Sequence, residues 1–188
     1  MDLRIHIEYD ILLFFSGAIL GWCMEVLCKL VQFHRFINRG FLLGPYCPIY
    51  GFGAVLLTEL LLPFSAYPVA VFFLGMLICG ALEYLTSYAM EKLFHARWWD
   101  YSQRRFNLNG RICAGTLIPF GLLGMSMVYL IQPFLFRQFA KLEADVLTFI
   151  CVGMLVLFLT DLLISVLTLV KIRSKADAIE GDSTETIT

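Results

Sequence analysis

Three acidic residues lie inside long apolar stretches of the chain, where charged side chains are unusual. Glu25, Glu83 and Asp161 each precede, by about ten residues, the basic cluster that ends the stretch. At about 1.5 Å per helical residue, all three would lie at one depth, roughly 12–18 Å below the same membrane face. A carboxylate in hydrocarbon is unfavourable by several kcal/mol, so three at one level predict a shared polar site. Carboxylates that lie close together cannot all be ionised without a compensating positive charge. Such a site would therefore bind a proton, sodium or a cationic solute.

Other polar residues recur at helical spacing beside two of these acids. Ser87 lies one turn after Glu83, and Lys29 lies one turn after Glu25. Polar stripes on membrane helices turn away from lipid, so we expect both stripes to face the bundle interior. The predicted ion-binding or substrate-binding group is therefore Glu25, Glu83, Asp161, Lys29 and Ser87. The alternative is a local ion pair in which Lys29 neutralises Glu25.

A second candidate site lies in the loops that precede the second and fourth helices. Asn38 and Arg39 precede the second helix, and Asn109 and Arg111 precede the fourth. The free N–H groups and dipole of a helix start favour an anion, so these residues could hold a phosphate, a carboxylate or a lipid headgroup. The alternative is that the arginines only anchor the topology on the positive side of the membrane.

Glu91, His95 and Asp100 form a third group, a possible proton relay near the membrane interface. The alternative for Glu91 and His95 is local charge compensation at headgroup level, where charge costs little. The four-residue spacing of this pair also suits a metal, but two ligands do not make a site, and we predict no metal. Because no nucleophile is spaced with a base, we predict no catalytic residue.

The elements that position these residues follow from the composition. Hydrophobic residues make up 60% of the 188 residues and charged residues 15%, against about 25% charged in a soluble domain. The chain is therefore predicted to be an all-α integral membrane protein, multi-pass in the cell membrane. A net charge of −1 gives no indication of a nucleic-acid partner. The six cysteines lack metal-site or redox spacing and are interpreted as reduced packing residues.

Apolar stretches of spanning length predict five transmembrane helices. They lie near 11–33, 46–63, 69–91, 112–132 and 146–170, with a short second helix and a fourth helix interrupted by Pro119. Eleven of the fourteen Lys and Arg residues fall in the segments around Lys29–Arg39 and Lys92–Arg111 and from Lys171 to Lys175, where helices one, three and five end. By the positive-inside rule, the N-terminus is outside and the C-terminus is cytoplasmic.

An internal repeat is predicted in the first four helices. The stretches 38–53 and 109–124 align without a gap at an offset of 71 residues, matching Asn, Gly, Pro and Gly. Repeat 1 would cover about 11–63 and repeat 2 about 69–132, as a parallel repeat with an axis along the membrane normal. Residues 1–175 are thus predicted to form one transmembrane domain, and 176–188 a disordered cytoplasmic tail.

Three stretches carry specific loop motifs: NRGFLLGPYCPIYGFG at 38–53, GALEYLTSYAMEKLFHARWWDYS at 80–102 and FNLNGRIC at 106–113. On these motifs the chain resembles, over about residues 15–130, the CmpB-type family usually described as Putative ABC-transporter type IV. The resemblance implies a small polytopic membrane protein of a transport system. It carries over no catalytic residue set.

These observations lead to one main functional hypothesis and two alternatives. The main hypothesis is a permease-like transporter component, not an enzyme, whose interior acids bind a cation or proton in the cytoplasmic half of the membrane. No cofactor is predicted, and because the chain lacks a phosphate-binding loop, ATP would act only through a separate subunit. Membrane lipids are expected partners. Five spans are also few to enclose a pathway, so we expect either further copies of the chain or another subunit. The alternatives are an enzyme or binding protein for a lipid or lipid-linked phosphate, and a helix-bundle scaffold or sensor.

Overall fold

Six α-helices and one short hairpin make up the part of the chain that the structure describes. The computed structural model describes residues 2–95 and 97–185, with side chains as far as Ile172. In chain order the elements are α1 Leu3–Phe33, α2 Pro48–Leu61, α3 Pro68–Phe94, β1 Asn107–Leu108, β2 Ile112–Cys113, α4 Ala114–Ser126, α5 Gln132–Phe139 and α6 Ala144–Glu185.

Four helical stretches are long and apolar enough to span a membrane. They are α1, α3, the continuous stretch Ala114–Phe139 that includes α4 and α5, and Ala144–Ile172 of α6. A fifth apolar stretch, Pro48–Phe64, is shorter, as the sequence predicted. At 1.5 Å per residue α2 is about 21 Å long, below the roughly 30 Å of a hydrocarbon core. Alone, α2 is therefore too short to span a hydrocarbon core.

The predicted interruption of the fourth helix at Pro119 was wrong, because α4 continues through this residue. The irregularity lies later, in a π-helical turn at Met127–Ile131 that leads directly into α5. Pro133, the second residue of α5, has no N–H group, and in a regular α-helix its ring would clash with the carbonyl oxygen four residues back. A wider turn at this point accommodates the ring, which is a common use of π-helical geometry.

Small residues allow the helices to pack closely in pairs, α1 on α2 and α3 on α4. A Cβ added at Gly17 would lie 2.7 Å from the Ala54 side chain, and one at Gly75 would lie 3.2 Å from Cα of Gly124. Contacts between small residues are typical of membrane helices, where dispersion rather than water release holds helices together. The largest buried apolar cluster, which includes Leu57 of α2, lies where these pairs meet.

The two long segments between helices, 34–47 and 97–113, lie at one end of the bundle, which we call the long-loop end. The ring of Phe41 in the first segment packs 6.2 Å from that of Trp98 in the second. The N–H group of Cys47 donates to the carbonyl oxygen of Ala18 at 3.0 Å, so the first segment enters the bundle before α2 begins. The second segment contains the antiparallel β1–β2 hairpin. The two segments therefore pack against each other at this end of the bundle, and the first also contacts α1.

Helix α6 runs alongside α1 in the same direction. Thr148 near its start donates to Glu8 near the start of α1 at 2.6 Å, and Asp161 farther along reaches the segment that follows α1. We call the end at which both helices begin the short-loop end. The backbone of α6 continues helically to Glu185, through most of the tail that we expected to be disordered. Residues 186–188 lie outside the described part, and disorder of the tail stays a prediction.

Candidate carboxylate site

Glu25 is held by two residues that come from outside its own helix. The hydroxyl of Tyr50, in the first turn of α2, donates to Oε1 at 2.7 Å, and Nε of Arg39 donates to Oε2 at 3.4 Å. Lys29, the expected local partner, instead donates to Gln32 at 3.0 Å. Both oxygens of Glu25 therefore have donors, and one donor is a cation.

The close approach of Tyr50 to α1 depends on Gly21. A Cβ at position 21 would overlap Cβ and Cγ of Tyr50. These two atoms lie at the base of the tyrosine side chain, so they cannot move aside as the end of a flexible side chain could. The absence of a side chain at Gly21 thus lets the phenol reach Glu25 one turn farther along α1.

Glu83 on α3 is more enclosed and has fewer donors. Its Oε1 accepts a hydrogen bond from the hydroxyl of Tyr101 at 3.0 Å. Its Oε2 is shielded from solvent and has no hydrogen-bond partner among the described residues. The N–H group of Tyr101 donates to the carbonyl oxygen of Gly110 at 2.7 Å, which fixes the tyrosine in the loop. Glu83 is therefore a half-buried carboxylate with one neutral donor.

The phenol of Tyr101 is affected by the charges of both Glu25 and Glu83. Burial raises the pKa of this phenol most, and the negative charge of Glu83 and, more weakly, that of Glu25 raise it further. A charge must lie close in a poorly hydrated region to have this effect. Tyr101 is thus in direct contact with Glu83, whereas Glu25 acts on it only through its charge.

Asp161 has a different role, because its oxygens dock the 34–47 segment onto α6. It accepts hydrogen bonds from the N–H groups of Leu43 and Gly44 at 3.1 and 2.7 Å, from the Tyr46 hydroxyl at 2.7 Å and from Ser165 at 2.9 Å. Burial, with the hydrogen bond and charge of Asp161, raises the pKa of Tyr46 to about 12. The four hydrogen bonds to the third predicted acid thus come from the 34–47 segment and from Ser165 of its own helix.

Arg111 is buried against α3 and joins residues that we assigned to different sites. Its Nη1 donates to Ser87 at 3.2 Å, and its Nη2 lies 2.5 Å from Oε2 of Glu91. The guanidinium lies over the rings of Tyr84 and Tyr88, 5.8 and 5.3 Å from their centroids. An arginine with only 8% of its surface exposed and with these partners fixes the 97–113 segment on α3.

Arg97 links two of the residues proposed as a proton relay, because its Nη1 lies 3.8 Å from Oδ1 of Asp100 and its Nε contacts Glu91. Glu91 also pairs with Nε of Arg97 at 3.1 Å, whereas the exposed His95 ends α3 in a left-handed conformation with φ of 52°. Asp100 accepts hydrogen bonds from the hydroxyl and N–H groups of Ser102, and these bonds lower the pKa of Asp100. The expected Glu91–His95 side-chain pair is thus replaced by pairs of Glu91 with arginines.

Asn38 and Asn109 shape the two long loops. Asn38 accepts a hydrogen bond from Trp22 at 2.7 Å and donates to the carbonyl oxygen of Leu43 at 3.3 Å. Asn109, with φ of 53°, donates to the hydroxyl of Tyr84 at 2.8 Å. Asn38 therefore connects its loop to α1 and to a later residue of the same loop, and Asn109 connects its loop to α3.

Tyr46 and Tyr50 are site residues that the sequence reasoning missed. Together with Tyr101, they give each of the three interior acids one phenolic donor. A partial signal was available, since Tyr46 and Tyr50 are one helical turn apart at the start of the second helix. Their partners on α6 and α1 could not be read from that spacing.

Comparison with known families then decides the class of protein. A family model described as Putative ABC-transporter type IV matches residues 12–166. The chain belongs to this family. The matched region runs from α1 into α6 and includes Glu25, Glu83 and Asp161. No match was found among curated proteins or solved structures. The family and the apolar helices together make the protein a multi-pass membrane protein and a component of a membrane transporter.

Proposed function

We propose that this transporter component is permease-like and binds a proton or a cation at Glu83, with Glu25 as a fixed neighbouring charge. The observation that carries the proposal is the enclosed Oε2 of Glu83, which has no hydrogen-bond partner among the described residues. A buried carboxylate oxygen without a donor is unfavourable by several kcal/mol while it is charged. A proton or a small cation at this oxygen would remove that penalty.

The two glutamates differ in a way that assigns them different roles. Glu25 has the guanidinium of Arg39 and the phenol of Tyr50, so its charge is already compensated. Glu83 has one hydrogen-bond donor, the neutral phenol of Tyr101, because the nearby hydroxyl of Thr116 donates to the carbonyl oxygen of Cys113 instead. Because a positive ligand is stabilised most at a carboxylate whose charge is not yet compensated, Glu83 is the better binding group.

The orientation and the repeat are part of the same proposal. Gly17 and Gly75 are separated by 58 residues, as are Glu25 and Glu83. An added Cβ at Gly17 would meet Gly51 and Ala54, and one at Gly75 would meet Gly121 and Gly124, which lie 70 residues later. This offset differs by one from the 71 of the sequence alignment. The matched packing supports a parallel repeat with the glutamates at equivalent positions.

The proposed orientation places the long-loop end in the cytoplasm and the N-terminus outside the cell membrane. The cations Arg39, Arg97 and Arg111 at the long-loop end support it. A membrane-impermeant maleimide should label Glu143→Cys in intact cells, whereas Arg104→Cys should be labelled only after permeabilisation. The reverse pattern would contradict the orientation. Both cysteine variants would also carry Cys28→Ser, which removes the background labelling of that exposed thiol.

Glu83→Gln is expected to abolish the response of the protein to its ligand. Glutamine keeps the shape of the protonated carboxyl but cannot exchange a proton or attract a cation. Thermal unfolding of the purified protein would be followed in detergent across pH and with added Na⁺, K⁺ or organic cations. The wild type should respond to one of these variables and Glu83→Gln to none. Exposed Glu143→Gln is the matched control and should respond like the wild type.

The outcome of that titration also identifies the ligand. A response to pH alone indicates a proton, and a response to one cation at constant pH indicates that cation. The same response in Glu83→Gln and the wild type would exclude Glu83 as the binding group. The lipid-phosphate alternative receives less support, because Arg39 and Arg111 are engaged with Glu25 and Glu91. Tolerance of glutamine at both Glu25 and Glu83 would favour a scaffold.

A further inference from the structure

A second group of ionisable residues lies at the short-loop end, where α1 meets α2. Nε2 of His6 is 3.6 Å from Oδ2 of Asp10 and 3.4 Å from Oε2 of Glu59. All three potential ligand atoms lie within 4.8 Å of one another. Asp10 precedes Glu25 by fifteen residues, or about 22 Å along α1, so this group is separate from the carboxylate site.

The distances suit a shared metal ion better than direct hydrogen bonds. An N–H···O hydrogen bond normally spans about 2.7–3.2 Å, and both separations from His6 are longer. Ligand atoms bound tetrahedrally at about 2.0–2.1 Å are separated from each other by about 3.4 Å. The imidazole nitrogen thus lies from each carboxylate oxygen at about the spacing of neighbouring ligands, and all three atoms lie within 4.8 Å of one another.

Asp10 supplies a second observation. Its other oxygen, Oδ1, is shielded from solvent and has no hydrogen-bond partner among the described residues. Two carboxylates therefore converge on a single imidazole, and one of them has an oxygen without any donor. A divalent cation among them would offset the repulsion between the carboxylates and compensate the enclosed oxygen.

We propose that His6, Asp10 and Glu59 bind a divalent transition-metal ion of the Zn²⁺ class. One imidazole nitrogen with carboxylate oxygens is a donor set that Zn²⁺ accepts, and three protein ligands leave a position open for water. The side chains of His6 and Glu59 are 37% and 41% exposed, so an ion can reach the site. The ion joins α1 to α2 at the end opposite the carboxylate site, and its binding does not depend on the proposed transport function.

The test is a Zn²⁺ titration of the full-length, untagged protein in detergent at pH 8. A mildly alkaline solution leaves few protons to compete with the metal ion for its ligands. After chelation and removal of the chelator, Zn²⁺ binding would be measured by calorimetry and by the rise in unfolding temperature. We expect saturable binding of one ion and a higher unfolding temperature, with Mg²⁺ much weaker.

Variants assign the binding to these residues. His6→Ala, Asp10→Asn and Glu59→Gln should each weaken Zn²⁺ binding by at least the 10–100-fold typical of losing an outer-sphere partner. The Asn and Gln variants keep the side-chain volume and so preserve the packing. His95→Ala and Glu143→Gln, on exposed residues away from the site, should bind Zn²⁺ like the wild type. Failure of the wild type to bind, or equal affinity in all three site variants, would overturn the proposal.

Discussion

Asp161→Ala should lower the free energy of unfolding by about 3 kcal/mol, because it removes the acceptor of two backbone N–H groups, a phenol and a serine. For a chain of this size that is a fall of roughly 6–12 °C in the apparent unfolding temperature. Circular dichroism in detergent would measure it. Ser165→Ala removes one of the four donors and should give a smaller loss.

Release of the 34–47 segment provides a second measurement of the same change. Cys47 lies in this segment, and burial raises the pKa of its thiol to about 11, so the reactive thiolate is rare at neutral pH. Maleimide should label Cys47 faster in Asp161→Ala than in the wild type, in a Cys28→Ser background. Thr160→Ala, next to Asp161 on an exposed side of α6, should change neither the unfolding temperature nor the labelling rate. An unchanged Asp161→Ala protein would show that the loop does not need this anchor.

Arg111→Ala should have an effect of similar size on the segment that carries Tyr101. The variant leaves Ser87 without its donor and opens a space between the rings of Tyr84 and Tyr88. Loss of a buried, hydrogen-bonded charged side chain is among the changes with large effects, and we expect a fall on the order of 5–10 °C. Thermal unfolding followed by circular dichroism would measure it.

Two further variants test whether the effect is specific to Arg111. Arg111→Lys keeps the charge, and Arg104→Ala is the control. Lysine keeps the charge but lacks the planar fork that contacts Ser87 and Glu91 together, so we expect an intermediate fall. Arg104 is an exposed arginine in the same segment, and its replacement should change the unfolding temperature by less than about 2 °C. Arg111→Ala should also weaken the pH or cation response of Glu83, because Tyr101 loses its support. Equal stability of the Ala variants at 111 and 104 would contradict the proposed anchoring.

The helices were predictable because their signal is local. The apolar stretches of the sequence, several of them ended by basic clusters, predicted the five apolar helical stretches of the structure. The short α2 is among them, and it begins and ends near prolines. The effect of each proline was harder to predict, since it depends on position in the helix. Pro119 is accommodated within α4, whereas the π turn occurs before Pro133.

The site was only partly predictable, because its contacts are not local. Glu25 and Glu83 could be selected by depth, but the loop residues that contact Asp161 are 115 to 118 residues away in sequence. Helical spacing suggested Lys29 as the partner of Glu25 and His95 as the partner of Glu91. Arginines from the folded-back loops took those places instead, and loop geometry leaves no periodic pattern in a sequence.

The neutral phenol beside Glu83 has an electrical consequence. When a cationic side chain holds a carboxylate, an arriving positive ligand meets a site that is already compensated. Tyr101 brings no charge, so a proton or monovalent cation that binds Glu83 changes the net charge inside the membrane by one. One elementary charge moved across the whole membrane corresponds to about 2.3 kcal/mol per 100 mV. Occupancy of a site partway across should therefore depend on the membrane voltage, in proportion to its electrical depth.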